Sequence, residues 1–360
     1  MIRALPHIEA MAPYALADND HGGPDKPVLM AQNESVRPPS PAAVEAAQRV
    51  LRSGALYPDP DWTDLRRALS DLHDIDAAGI LCGNGSLDLI AALARAYAGP
   101  GRAVLAPAHA YPFFATAAKL AGARFDTAPE APHGVCVTEL LRAVRDDTQV
   151  VFVANPGNPT GTRIPTEALR ELREGLRDDI LLIIDEAYGE FANGPDKGCW
   201  NLTEAGDCVV LRTFSKAYGL AGYRAGWGLF PPGVAAEVRK VLNPNNLAAV
   251  SQAAAEAAVS DQAYMRETCA LTARARDRWS GKLAGAGFDV VPGCTNFLVV
   301  RFGDAITAAE ADAFLRSSGV FVRRQHGAGL PEALRWTLAA DAEMARAFGA
   351  LMSWKEQRDG

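Results

Sequence analysis

Between about residues 80 and 245, short β-rich runs (RAVLAP, QVVFVAN, ILLIIDEA, DCVVLRT, GWGLF) alternate with helical stretches such as SLDLIAALARAYAG and PTEALRELREGL. Apolar runs without polar alternation are buried on both faces, so the pattern calls for a mainly parallel sheet with helices on either side. It predicts an α/β domain over 46–245. Beyond it, AVSQAAAEAAVSDQAYMRETCALTARARDRWSGKLAGAG reads as one long helix. NFLVVRF, AEADAFLRSSG, VFVRRQ and LRWTLAA follow, the mixture expected of a smaller α+β domain over 246–360. The proline- and glycine-rich start (ADNDHGGPDKP, VRPPSP) suits an extended arm, so 1–45 is expected to be arm plus part of the small domain. From Pro41, AAVEAAQRVLRSG predicts a short helix with Val44, Ala47 and Leu51 on its inner face and Gly54 as its stop.

With 360 residues the chain is long enough for two such units. A net charge of -7 and a pI near 5.5 provide no basic field for nucleic acid or anionic lipid, which favours small-molecule partners. Cys82, Cys136, Cys199, Cys208, Cys269 and Cys294 are scattered, with no C-x-x-C and no Cys/His spacing for a metal. The start MIRALPHIEAMAPY lacks the apolar core of a signal peptide, and no run long and apolar enough to span a membrane is present. A cytoplasmic protein with reduced thiols is expected.

Four features bear on chemistry. In CGNGSLDLIAALARA the small residues Gly85 and Ser86 open a helix; its free N–H groups suit a phosphate, although a helix cap at Ser86 explains the pattern as well. In VVFVANPGNPTG the turn after a buried strand sets Asn155 and Asn158 at the carboxyl edge of the sheet, as binding groups or as simple turn formers. In ILLIIDEAY, Asp185 ends five apolar residues and needs a cation or a capping role, with Tyr188 three positions on. In LRTFSKAYGLAGYRAGW, Lys216 sits among weakly polar residues with Arg224 nearby, conditions that lower an amine's proton affinity and suit Schiff-base chemistry.

Taken in order, these features match the parts of pyridoxal phosphate. Gly85, Ser86, Ser215 and Arg224 suit its phosphate, Asp185 its ring nitrogen, Asn158 and Tyr188 its phenolate oxygen, and Lys216 its aldehyde. At this point the chain resembles the fold-type I aminotransferases of class I/II, and among them the histidinol-phosphate aminotransferase family. The resemblance rests on MAQNESVRPPSP, YPDP, GNGS, NPGNPTG, DEAYGEF, RTFSKAYGLAGYRAGW, TNFLVVRF, GVFVR and LRWTLA in the family's order.

It implies an aspartate aminotransferase-like large domain with a seven-stranded, mainly parallel sheet beside the smaller α+β domain. It also implies a homodimer in which Tyr57 reaches the neighbouring subunit's phosphate site. Tyr111 is implied to stack on the pyridine ring, and Thr213 to join the cofactor-binding residues named above. Lys216, Asp185 and Tyr188 are the implied catalytic residues. Tyr14, Asn33, Arg323 and Arg335 are implied to face the substrate, an amino acid or amino-phosphate exchanged with an oxo acid such as 2-oxoglutarate; for Tyr14 and Arg323 an ordinary surface role stays open. Departures from the family's pattern at Leu87, Ser35, Val36, Phe114 and Ala339 point to an altered pocket rim and a donor that need not be histidinol phosphate. A threonine-phosphate-type decarboxylase, an aromatic or specialised-metabolite aminotransferase and a cofactor-sensing regulator are the alternatives on the same scaffold.

Overall fold

The apolar runs become the strands of two sheets in a computed structural model that describes residues 2–14, 27–132, 134–193 and 198–360. The large sheet holds β2 (Ile80–Gly83), β3 (Ala103–Pro107), β4 (Arg124–Ala128), β5 (Thr148–Ala154), β6 (Leu181–Asp185), β7 (Cys208–Thr213) and β8 (Gly226–Leu229), in the order β2-β8-β7-β6-β5-β3-β4. The pairings among β3, β4, β5, β6 and β7 are parallel, and β8 runs antiparallel to both β2 and β7.

Successive residues of one strand serve two cores, because side chains alternate across a sheet. Ile183, Val209, Leu211 and Phe152 join the helices that open with Ser86 and Pro112. Ile184, Val210, Val153 and Val151 face the helix Thr166–Gly175 through Leu169 and Leu172. Burial on both faces is the reason these strands carry no polar alternation.

The second sheet has the order β1-β11-β12-β10-β9, built from β1 (Val28–Met30), β9 (Asp289–Val291), β10 (Phe297–Arg301), β11 (Val320–Gln325) and β12 (Leu330–Thr337). Its inclusion of β1, parallel to β11, ties the N-terminal arm to the C-terminal unit. Val28, Met30, Leu298, Val300, Leu334 and Trp336 face one core with Trp279 and Leu351. The opposite face, through Phe297 and Val299, packs on Tyr188 of the large unit.

Three expectations need correction. The alanine-rich stretch after 245 is two helices, Ala249–Ser260 and Gln262–Gly285, divided at Asp261, whose carboxylate accepts from the Tyr264 N–H and caps the second. The first of them buries Ala254, Ala255 and Ala258 in the large unit's core, so the small unit begins later in the chain than residue 246. In the helix Pro41–Val50 the buried face is Ala43, Ala46 and Ala47, while Leu51 is 63% exposed. Small residues let this helix lie close against Ala249–Ser260, and the larger apolar ones are displaced outward. Among the described residues, no helix is long and apolar enough to cross a membrane and no cluster of His, Cys, Asp or Glu is placed to hold a metal ion.

Candidate active site

A cavity of about 830 Å³ lies between the two units at the carboxyl ends of β5, β6 and β7, where open α/β sheets bind ligands. Lys216 follows β7, and its ammonium group donates to the carbonyls of Gln32 (3.1 Å) and Asn33 (2.9 Å). Burial lowers its pKa to about 7, assisted by the positive charges of Arg335 and Arg224 and opposed by Glu34 and Asp185.

Asp185, the last residue of β6, is buried, and one of its oxygens accepts from the Ala187 N–H at 3.1 Å. Burial raises its pKa to about 7, with Glu186 adding to the rise and Lys216 opposing it. The adjoining Glu186 points away, where it and Glu190 share the buried guanidinium of Arg212 at 2.8 and 3.1 Å. Of two neighbouring carboxylates, one is thus paired with an arginine, while the other faces the cavity with no cation bonded to it among the described residues.

Next to them the phenol of Tyr188 accepts from the amides of Asn33 (2.7 Å) and Asn158 (3.4 Å). Burial raises its pKa to about 12, so it stays protonated and can still donate. Arg335 of β12 donates to the Asn158 side-chain oxygen (2.6 Å) and to the Ala31 carbonyl (2.8 Å), while its Nε has no acceptor among the described residues. Arg323 of β11 lies opposite it in the antiparallel register and also lines the cavity.

At the floor, Gly85 adopts φ +80° and the helix Ser86–Tyr97 starts without a side-chain cap. This decides against the capping role for Ser86, which is the first helical residue. A Cβ on Gly85 would meet an Arg224 guanidinium nitrogen at 2.5 Å. Arg224 in turn reaches the Ser215 hydroxyl at 3.4 Å, and the Thr213 hydroxyl donates to Ser215 at 3.0 Å. A bare helix start, an arginine and two hydroxyls in one cradle fit a phosphate. The carboxylate of Asp185 and the half-buried amine of Lys216 fit the remainder of pyridoxal phosphate.

Tyr111 lines the wall, edge-on to the buried Phe114 at 5.7 Å, and burial pushes its phenol well up. Tyr14 lies at the mouth with its ring 5.9 Å from Phe113. Asn33 also lines the cavity, though its amide is engaged by Tyr188. Tyr57 is outside the cavity and 88% exposed. Leu87 lines the pocket as expected. Phe114 and Ala339 do not: Phe114 stacks on Phe152 at 4.6 Å in the large core, and Ala339 packs against the small one. Their effect on the rim is therefore indirect. Sequence reasoning missed Gln32, Glu34, Asn296 and Thr337, which support the lysine and Asn33. Asn296 and Thr337 stand inside the quoted TNF and LRWTL stretches, where a polar residue at a strand end was the available signal.

The family model of aminotransferases of class I and II matches residues 25–351. A histidinol-phosphate aminotransferase of Paramagnetospirillum magneticum is 43% identical over 354 residues, covering 96% of each chain. One from Rhodospirillum centenum is 38% identical, covering 97% of each. Among solved structures, histidinol-phosphate aminotransferase from Sinorhizobium meliloti in complex with pyridoxal-5'-phosphate superposes with a TM-score of 0.93 at 31% identity, covering 99% of this chain and 98% of that one. Aspartate aminotransferase from Thermus thermophilus shares the fold, with a TM-score of 0.85 at 19% identity over 98% of this chain and all of that one.

Proposed function

Because the chain belongs to the aminotransferases of class I and II, we propose that it is a pyridoxal-phosphate enzyme moving an amino group between histidinol phosphate, or a related amine, and an oxo acid such as 2-oxoglutarate. The observation that carries the reading is the position of Lys216, a half-buried amine with a pKa of about 7 that shares one cavity with Asp185 and the Gly85–Arg224 cradle. Bound there, pyridoxal phosphate supplies an aldehyde that condenses with amines and a protonated ring that draws electrons from the substrate's α-carbon.

The protein's residues do the rest. Asp185 presents a carboxylate to the ring nitrogen, and a cationic N–H there would hold it ionised despite its burial. Asn158 and Tyr188 supply neutral donors to the ring's phenolate oxygen. Lys216 anchors the cofactor. Its amine, with a pKa of about 7 in the cavity, would suit the role of a general base at neutral pH for the proton on the substrate's α-carbon. Arg335, fixed by Asn158 and the Ala31 carbonyl, orients the anionic end of the substrate. Histidinol phosphate has a phosphate and no carboxylate, while the oxo acid has the reverse; the neighbouring Arg323 and Arg335 offer two guanidinium groups that suit either anion.

A homodimer belongs to the same proposal. Leu51, Leu56 and Tyr57 are 63%, 74% and 88% exposed along one short segment, apolar surface that a second copy would cover. A cytoplasmic location fits six cysteines that are all free thiols.

The test is reduction of the reconstituted enzyme with borohydride, followed by peptide mapping and a visible-spectrum screen with histidinol phosphate, glutamate, aromatic amino acids and O-phosphothreonine. Label on Lys216 and an absorbance change with histidinol phosphate and glutamate are expected. Carbon dioxide release without an oxo acid would instead identify a decarboxylase, and an unlabelled Lys216 would end the reading.

A further inference from the structure

Asn296, directly before β10, is 1% exposed and does not itself line the cavity. Its side-chain amide donates to two successive carbonyls, those of Asn33 (3.1 Å) and Glu34 (3.0 Å). The Asn33 carbonyl is the one that accepts from the Lys216 ammonium at 2.9 Å, so its two lone pairs are divided between Asn296 and the lysine. On the adjacent strand Thr337 completes the clamp: its hydroxyl accepts from the Asn33 N–H at 2.9 Å and lies 3.3 Å from the Asn33 side-chain oxygen. Asn33 itself has φ 55°, a left-handed conformation that asparagine adopts more readily than most residues, and this turn aims the carbonyls of residues 32 and 33 at the lysine.

We propose that Asn296 and Thr337 are positioning residues for the amino-transfer reaction: from the small unit they hold the Asn33 turn, and through its carbonyls they set the place and proton affinity of the Lys216 amine. The clamp joins the ends of β10 and β12, which also close on each other through the Leu338 N–H and the Asn296 carbonyl at 2.9 Å. The turn's side chain also donates to Tyr188, so one segment orients both the base and the phenol.

The direction of the effect follows from the geometry. An amide donating to the Asn33 carbonyl draws on the same oxygen that solvates the ammonium form, and it keeps that oxygen from moving closer. Without the amide the carbonyl becomes a better acceptor, and water gains access to the turn. Both changes favour the protonated amine. The other charged or titratable groups that face Lys216 are Arg335 on β12, Glu34 after β1, Arg224 after β7, Asp185 at the end of β6 and Tyr188 three residues on; substitution at 296 or 337 removes none of these groups, and it reaches Glu34 and Tyr188 only through the Asn33 turn.

The inference rests on the reading of Lys216 as the reacting amine, and its test uses the cofactor-free full-length protein so that the two can fail separately. Competitive acylation of Lys216 across pH 5–10, followed by mass spectrometry of its peptide, reports its titration midpoint without turnover. Asn296→Ala is expected to raise that midpoint by about half to one pH unit, and the isosteric Thr337→Val, which releases the Asn33 N–H, to displace it from the wild-type value by a similar amount. Thr337→Ser, which returns the hydroxyl, is expected to bring it back. If folded Thr337→Val and Asn296→Ala keep the wild-type midpoint, or if Thr337→Ser shifts it as far as Thr337→Val, the clamp is ordinary structure and the proposal is overturned. Should Asn296→Ala fail to fold, the Thr337 pair decides alone. A wild-type Lys216 left unlabelled by borohydride would sink the enzyme reading and leave the midpoint result standing.

Discussion

Asp185 is held away from the protonation state it favours in water, and this yields a sign that can be checked. The folded chain keeps a proton on Asp185 up to about pH 7, whereas the unfolded chain releases it near 3.8. The folded state therefore binds more protons in that window, and stability falls as pH rises through it. Asp185→Asn removes this penalty. The cofactor-free variant should melt several degrees higher than wild type at pH 8, with the gap closing towards pH 4, while its affinity for pyridoxal phosphate and its turnover fall by at least about a hundredfold. Equal melting curves at pH 8 would mean that the carboxylate is not strained. At Arg335 the fork geometry is the point. The guanidinium donates to Asn158 and Ala31 and still has further N–H groups to give, which a lysine in its place would lack. Arg335→Lys should raise the KM for the oxo acid by about 10- to 100-fold, measured by steady-state kinetics at saturating donor.

The elements bring these groups together because each crucial side chain stands at the end of a strand or the start of a helix. At the start of the helix Ser86–Tyr97, Gly85→Ala forces a side chain into φ +80° and into the Arg224 guanidinium. The affinity for pyridoxal phosphate should drop at least about tenfold in a visible-absorbance titration. A variant that binds as tightly as wild type would show that the cradle is not the phosphate site. Behind β6 and β7, Arg212 pairs with both Glu186 and Glu190 in a fully buried cluster. Arg212→Ala leaves two carboxylates without their cation and should cost about 3–5 kcal/mol in urea unfolding. A loss below about 1 kcal/mol would mean that the cluster is hydrated or protonated instead.

At the scale of the molecule, the cavity is made by two units and, on the proposed reading, by two copies. If Tyr57 serves the neighbouring subunit's phosphate site, mixing inactive Lys216→Ala and Tyr57→Ala subunits gives hybrids with one native site. Random reassociation should then restore about a quarter of wild-type activity, and a mixture that stays inactive would contradict the shared site. The parallel sheet and the order of the cofactor-binding residues were legible in the chain, because apolar runs of strand length and glycine or asparagine turns are local signals. The break at Asp261, the membership of Ala249–Ser260 in the large core and the burial of Phe114 were not, since each is decided by what packs against it. The linear sequence by itself determined the layered architecture and the chemical groups on offer: an amine, a carboxylate, two arginines and a glycine-opened helix. Only the tertiary structure decided that Glu186 is spent on Arg212 while Asp185 faces the cavity, and that Asn33 is held by Asn296 and Thr337 some 260 and 300 residues away. The charge state and aim of a buried group depend on the neighbours that desolvate it, and those neighbours are assembled by folding rather than by adjacency in the chain.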